Sequence, residues 1–177
     1  MVHSKIIRFE EEIRDLPRER SAVFSTDGEK ILERESIIVD LCEVCAFDDS
    51  EYERMHNQIL THNHPSRLLF GIKDITLAVD AQLAELRVVT VKGTFSLKPT
   101  LGRWPEAKTI FTKFKEVEGS WDYIPEREKE FQESGKREKL NAHLDHDWYM
   151  QHLIWKIVAE RLGLMYIRNE WELIGNL

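Results

Sequence analysis

Within Thr61-His62-Asn63-His64-Pro65 two imidazoles stand two residues apart, and Asp74 follows ten residues after the second of them. On an extended segment an i, i+2 spacing turns both side chains to one side. If the next segment returns Asp74 as a third ligand, two histidines and a carboxylate leave a fourth metal position open. Closed structural zinc sites use four protein ligands, whereas hydrolytic sites keep one position for water. The chemistry these residue types point to is therefore hydrolysis assisted by Zn2+. The same types also occur before prolines in solvated loops, where they cap backbone groups, so the reading depends on what surrounds them.

Such a site works with a base close to the metal but not bound to it. Glu19 is the candidate: it stands at the mouth of the first predicted strand, in Glu19-Arg20-Ser21-Ala22-Val23-Phe24, and a central strand there would carry it to the histidines. Taken alone, between Arg18 and Arg20, it reads equally well as a surface charge.

Elements must then place these groups. Residues 21–24, the Asp27-Gly28 turn and residues 30–33 predict a β-hairpin. Tyr52, Met55, Ile59 and Leu60 predict a helix over residues 50–60, with Ser50 as its N-cap, leading into the histidines. Ile75, Ala78, Val79 and Leu83 predict a second helix over 74–85. A second hairpin follows, residues 86–91 and 94–97 around Lys92-Gly93. Residues 104–135 are highly charged, and 126–139 reads as a mostly solvated helix. Trp148, His152, Trp155, Ala159 and Leu162 predict a helix over 148–162, stopped by Gly163 and followed by a strand at 164–168.

The chain of 177 residues carries a net charge of −7, which argues against nucleic-acid binding through a general basic surface. No apolar run approaches the roughly 20 residues that span a bilayer, and residues 1–12 lack the apolar core of a signal peptide, so a cytoplasmic location without a membrane partner is expected. Cys42 and Cys45 form Cys-x-x-Cys with no second pair to complete a four-cysteine zinc site, and read as ordinary thiols.

Glu19, His62, His64, Pro65 and Asp74, in this order and at these separations, resemble the motif of the JAMM (MPN-plus) metalloproteases: an upstream Glu, His-x-His-Pro, then Ser-x-x-Asp. The resemblance covers residues 18–99, and 59–97 is especially similar to JAMM-type domains of phage and other mobile bacterial elements. It implies an α/β, mixed-sheet domain of the layered cytidine-deaminase type over residues 1–100, with residues 101–177 as a helix-rich C-terminal extension packed on it. It also implies zinc held by His62, His64 and Asp74, Glu19 as the base that takes a proton from zinc-bound water, and a peptide or protein-conjugate substrate cleaved at a peptide or isopeptide bond. One position departs: Gly71 stands where the family has the serine that supports the oxyanion. Losing such a donor typically costs about 10²–10³ in rate. Ser66 in the same loop or the backbone N–H at Gly71 could substitute; otherwise the domain binds zinc and catalyses poorly.

Other readings of the histidines fit less well. HNH nucleases disperse their three residues over a ββα unit, a cupin places a Glu soon after His-x-His where this chain has Ser66, Arg67, Leu68 and Leu69, and an amidohydrolase barrel needs about 250 residues. His143 and His146 with Asp145 and Asp147 read as a helix start rather than a second metal site. Trp104, Trp121, Trp148, Trp155 and Trp171 all lie outside the motif. They either build core against the sheet or form an aromatic surface, and the latter would make the chain a protein-binding or inhibitor module on an inactive scaffold.

Overall fold

The computed structural model describes residues 2–39, 42–44, 47–66, 68–120 and 144–171, by their backbone alone over 37–39, 42–44 and 144–149. It is an α/β protein with a six-stranded mixed sheet and, among the described residues, five helices. In chain order these are α1 (Ser4–Ile13), β1 (Arg20–Phe24), β2 (Lys30–Glu35), β3 (Ile37–Val39), β4 (Cys42–Val44), α2 (Asp49–Met55), β5 (Ile59–Asn63), α3 (Ile72–Asp80), β6 (Glu85–Thr90), β7 (Gly93–Pro99), α4 (Ala107–Gly119), α5 (Leu144–Leu162) and β8 (Leu164–Glu170).

The strand order is β2-β1-β5-β6-β7-β8, and β3 and β4 form a separate hairpin. All pairs in the main sheet are antiparallel except β5 and β6, which run parallel because α3 crosses between them. Side chains alternate across the sheet. Val23, Leu60, Leu86, Val88, Phe95 and Leu97 face one core with Ile75 of α3, Ile110 of α4 and Trp155 of α5. Ala22, Phe24 and Val89 face the other side, under Ile6, Phe9 and Ile13 of α1.

The second face also carries a buried polar network. Glu10, on the inner side of α1, accepts from Arg87 Nε at 2.6 Å, Arg87 Nη2 at 3.0 Å and the Thr61 hydroxyl at 2.9 Å. Arg87 Nη1 donates in turn to Glu85 at 2.6 Å. Charges at this depth persist only when paired and hydrogen-bonded, so α1 is tied to β5 and β6 by chemistry as well as by apolar contact.

Several elements differ from those the sequence predicts. The helix over 50–60 ends at Met55, because Asn57 takes a left-handed φ of 57° and Ile59 and Leu60 are drawn into β5 between β1 and β6. Its N-cap is Asp48, not Ser50: Asp48 and Glu51 form a reciprocal capping box, each backbone N–H donating to the other's carboxylate at 3.0 Å. The helix over 74–85 starts at Ile72 and stops at Asp80, which leaves Asp74 in its first turn.

The α1 helix and the β3–β4 hairpin are additions to that reading. Residues beyond 100 do more than cover the sheet, since β8 completes it along β7. Gly93 permits that closure: a Cβ there would lie 2.3 Å from the Asn169 carbonyl oxygen. Gly163 ends α5 with φ 65°, as its place in the sequence suggests. The region 126–139, Cys45, His143 and Trp121 lie outside the described residues. No helix among the described residues is long and apolar enough to cross a membrane.

Candidate metal centre

The histidine segment emerges at the C-terminal end of β5. His62, two residues after Leu60, shares the face of the sheet that looks toward α3. His64 lies just past the strand, its backbone N–H still bonded to the Val89 carbonyl at 2.9 Å. The two rings meet edge to face with centroids 4.6 Å apart, and their Nε2 atoms are 2.9 Å from each other. Asp74, at the start of α3, brings Oδ1 to 3.2 Å from His62 Nε2 and Oδ2 to 3.5 Å from His64 Nε2.

Glu19 arrives from the opposite direction, one residue before β1. Glu19, His62 and His64 form a group able to hold a metal ion, with one ligand atom of each lying within 4.8 Å of the others. The residue between the histidines explains how Glu19 is held. Asn63, buried on the opposite face, accepts from Arg20 N–H at 2.7 Å and donates to the carbonyls of Arg18 at 3.0 Å and Leu16 at 3.3 Å. Both neighbours of Glu19 are thus fastened to the histidine strand, and the Glu19 carbonyl accepts from Ser36 N–H at 2.8 Å.

The donor set suits a cation. His64 Nδ1 lies 2.8 Å from the Leu68 carbonyl, which can only accept, so Nδ1 carries the ring proton and Nε2 keeps its lone pair toward the site. His62 Nε2 and the Asp74 carboxylate converge on the same point. The 2.9 Å between the two Nε2 atoms and the 3.2 Å from His62 Nε2 to Asp74 Oδ1 lie near the roughly 3.3 Å edge of a tetrahedron whose ligands lie about 2.0–2.1 Å from zinc, and the other Asp74 oxygen stands 3.5 Å from His64 Nε2.

Electrostatics tell the same story. Burial favours the neutral form of His62, but the Asp74 carboxylate, helped by Glu19, outweighs burial and raises its pKa above the usual value. Burial and then the adjacent His62 push His64 below it. Burial alone would raise Asp74, yet the two imidazoles overcome it and hold the carboxyl at about 2. A metal at this site competes with the proton on His62, so affinity falls as pH drops through that raised pKa. Metal affinity measured across a pH series should weaken as pH falls through the His62 titration; an affinity independent of pH over that range would contradict this.

The two positions considered for oxyanion support sit differently. Ser66 is exposed in the turn after Pro65. The Gly71 N–H already donates to Asp74 Oδ2 at 2.7 Å, holding the carboxylate toward the histidines. Away from the site, Trp104 and Trp155 are buried in the main core and Trp171 is half-buried with its indole N–H on the Thr90 carbonyl at 2.7 Å. The tryptophans with described side chains thus build core. His152 is likewise buried, within 2.7 Å of the Tyr166 hydroxyl.

Sequence reasoning missed Asn63. The only signal for Asn63 was a polar residue alternating with two histidines. A scan against protein-family models, a search of curated proteins and a search of solved structures each return no match.

Proposed function

We propose that this chain is a zinc-dependent hydrolase of the JAMM type, cleaving a peptide or isopeptide bond. The observation that carries this is the meeting of Glu19, one residue before β1, with the His62 and His64 rings at the end of β5, with Asp74 on α3 closing on the same two nitrogens. His62, His64 and Asp74 are the ligands in this reading, and the bound ion supplies Lewis acidity that polarises the scissile carbonyl. Glu19 accepts the proton of the attacking water and passes it to the leaving amine. Asn63 keeps that carboxylate in reach by fixing the backbone on both sides of it.

One observation favours a second reading, a catalytically weak scaffold that acts by binding protein. The family serine is replaced by Gly71, whose N–H is engaged by Asp74, while Leu68 and Ile72 expose apolar side chains close to the site in sequence, at 44% and 68%. The test is hydrolysis of a panel of peptide and isopeptide conjugates by the zinc-loaded protein. Cleavage should vanish with a chelator and return with zinc; cleavage that survives complete metal removal would overturn the hydrolase reading, and stoichiometric zinc without any cleavage would favour the scaffold.

A further inference from the structure

His64 is held from a part of the chain far from the motif. The Leu68 carbonyl accepts from its Nδ1 at 2.8 Å, and the N–H of the same peptide unit, at Leu69, donates to Gln151 Oε1 on α5 at 2.9 Å. One peptide plane thus joins Gln151 to His64 in series: side-chain oxygen, peptide N–H, peptide carbonyl, ring N–H. Donation from the N–H draws electron density toward the carbonyl oxygen, so each bond strengthens the other. Four residues further along α5, Trp155 packs edge-on against Phe70 with centroids 5.4 Å apart. Leu69 and Phe70, between the metal-site residues His64 and Asp74, are therefore held by α5 through a polar and an aromatic contact.

We propose that Gln151 is a positioning residue of the metal centre, setting the ring of His64 through the Leu68–Leu69 peptide. The inference rests on reading His64 as a ligand. Groups that orient a ligating histidine fix its tautomer and direction, and losing one typically lowers metal affinity about 10–100-fold. Gln151 acts one peptide further out, so about tenfold is expected. Packing alone would be satisfied by any side chain of similar size, whereas this relay needs an acceptor oxygen.

The experiment compares Gln151→Leu and Gln151→Glu with the wild-type full chain. Zinc affinity is read by chelator competition, cobalt(II) absorption reports ligand geometry, and NMR follows the His64 Nδ1–H resonance in the zinc-loaded protein. Gln151→Leu should bind zinc about tenfold more weakly with an altered cobalt spectrum, and Gln151→Glu, which keeps an acceptor, should restore wild-type affinity. Val158→Ala, a core change on the same helix, should weaken folding and leave zinc affinity in place.

Wild-type affinity in Gln151→Leu, or equal loss in both Gln151 variants, would overturn the proposal while leaving the metal centre standing. If Gln151→Leu does not fold, Gln151→Glu decides: its charged acceptor should displace the His64 Nδ1–H resonance, and an unmoved resonance overturns the relay. Absence of zinc from the wild-type chain would remove both this inference and the hydrolase reading, and it would be evident before any variant is compared.

Discussion

Glu19→Gln is expected to keep stoichiometric zinc and to lower turnover by about 10²–10⁴, the usual contribution of a positioned general base. The substitution preserves size while removing the negative charge and the ability to accept a proton. The backbone contacts that hold this segment, from Arg20 N–H and the Arg18 carbonyl to Asn63, do not involve the Glu19 side chain, so the strand entry stays in place. Glu19 also lies near enough to both histidines to be a ligand in its own right. Zinc content and turnover, measured on the same preparation, separate the two roles. Unchanged turnover would remove Glu19 from the mechanism, and loss of zinc would transfer it from base to ligand.

The largest stability loss is expected from Glu10→Ala. Arg87 is fully buried, and Glu10 receives two of its donors while also accepting from Thr61. Removing one partner of a buried ion pair typically costs about 3–5 kcal/mol, because the remaining charge is left undersatisfied. Glu85 still engages Arg87 Nη1, which places the expected loss toward the lower end, about 3 kcal/mol. Denaturant unfolding of the metal-free protein measures it. A loss below about 1 kcal/mol would mean that the buried network does not carry α1 onto the sheet. Because Thr61 precedes His62 on β5, the same variant should also loosen the strand on which the site is built.

The grouping of the candidate residues was easier to read in the sequence than the bounds of the elements that carry them. His62, His64, Asp74 and Glu19 could be grouped because their chemistry requires few residues at short or recognisable separations; the structure places Glu19 with the two histidines, and Asp74 against the same two rings. Both hairpins of the sheet were legible from alternation and from Asp27-Gly28 and Lys92-Gly93. Ile59 and Leu60 misled because their spacing from Met55 and Tyr52 suits a helix. Pairing with β1 on one side and β6 on the other, contacts no local pattern reveals, draws them into a strand.

In α1, Ile6, Phe9 and Ile13 keep helical spacing, but Glu10 interrupts the apolar stripe, and its partner Arg87 lies 77 residues away. Gln151 was illegible for the same reason: its partner, the Leu69 N–H, is separated from it by 82 positions. Local periodicity and motif spacing carry short-range information, and the contacts through Asn63 and Gln151 that support this site are long-range.

The most direct test of the metal centre is elemental analysis of the untagged protein beside His64→Ala. The arrangement of His62, His64 and Asp74 predicts about one zinc per wild-type chain, present as purified or after reconstitution, and none retained by the variant. A wild-type chain that binds no zinc under either condition, or a variant that holds it as well as wild type, would contradict the account.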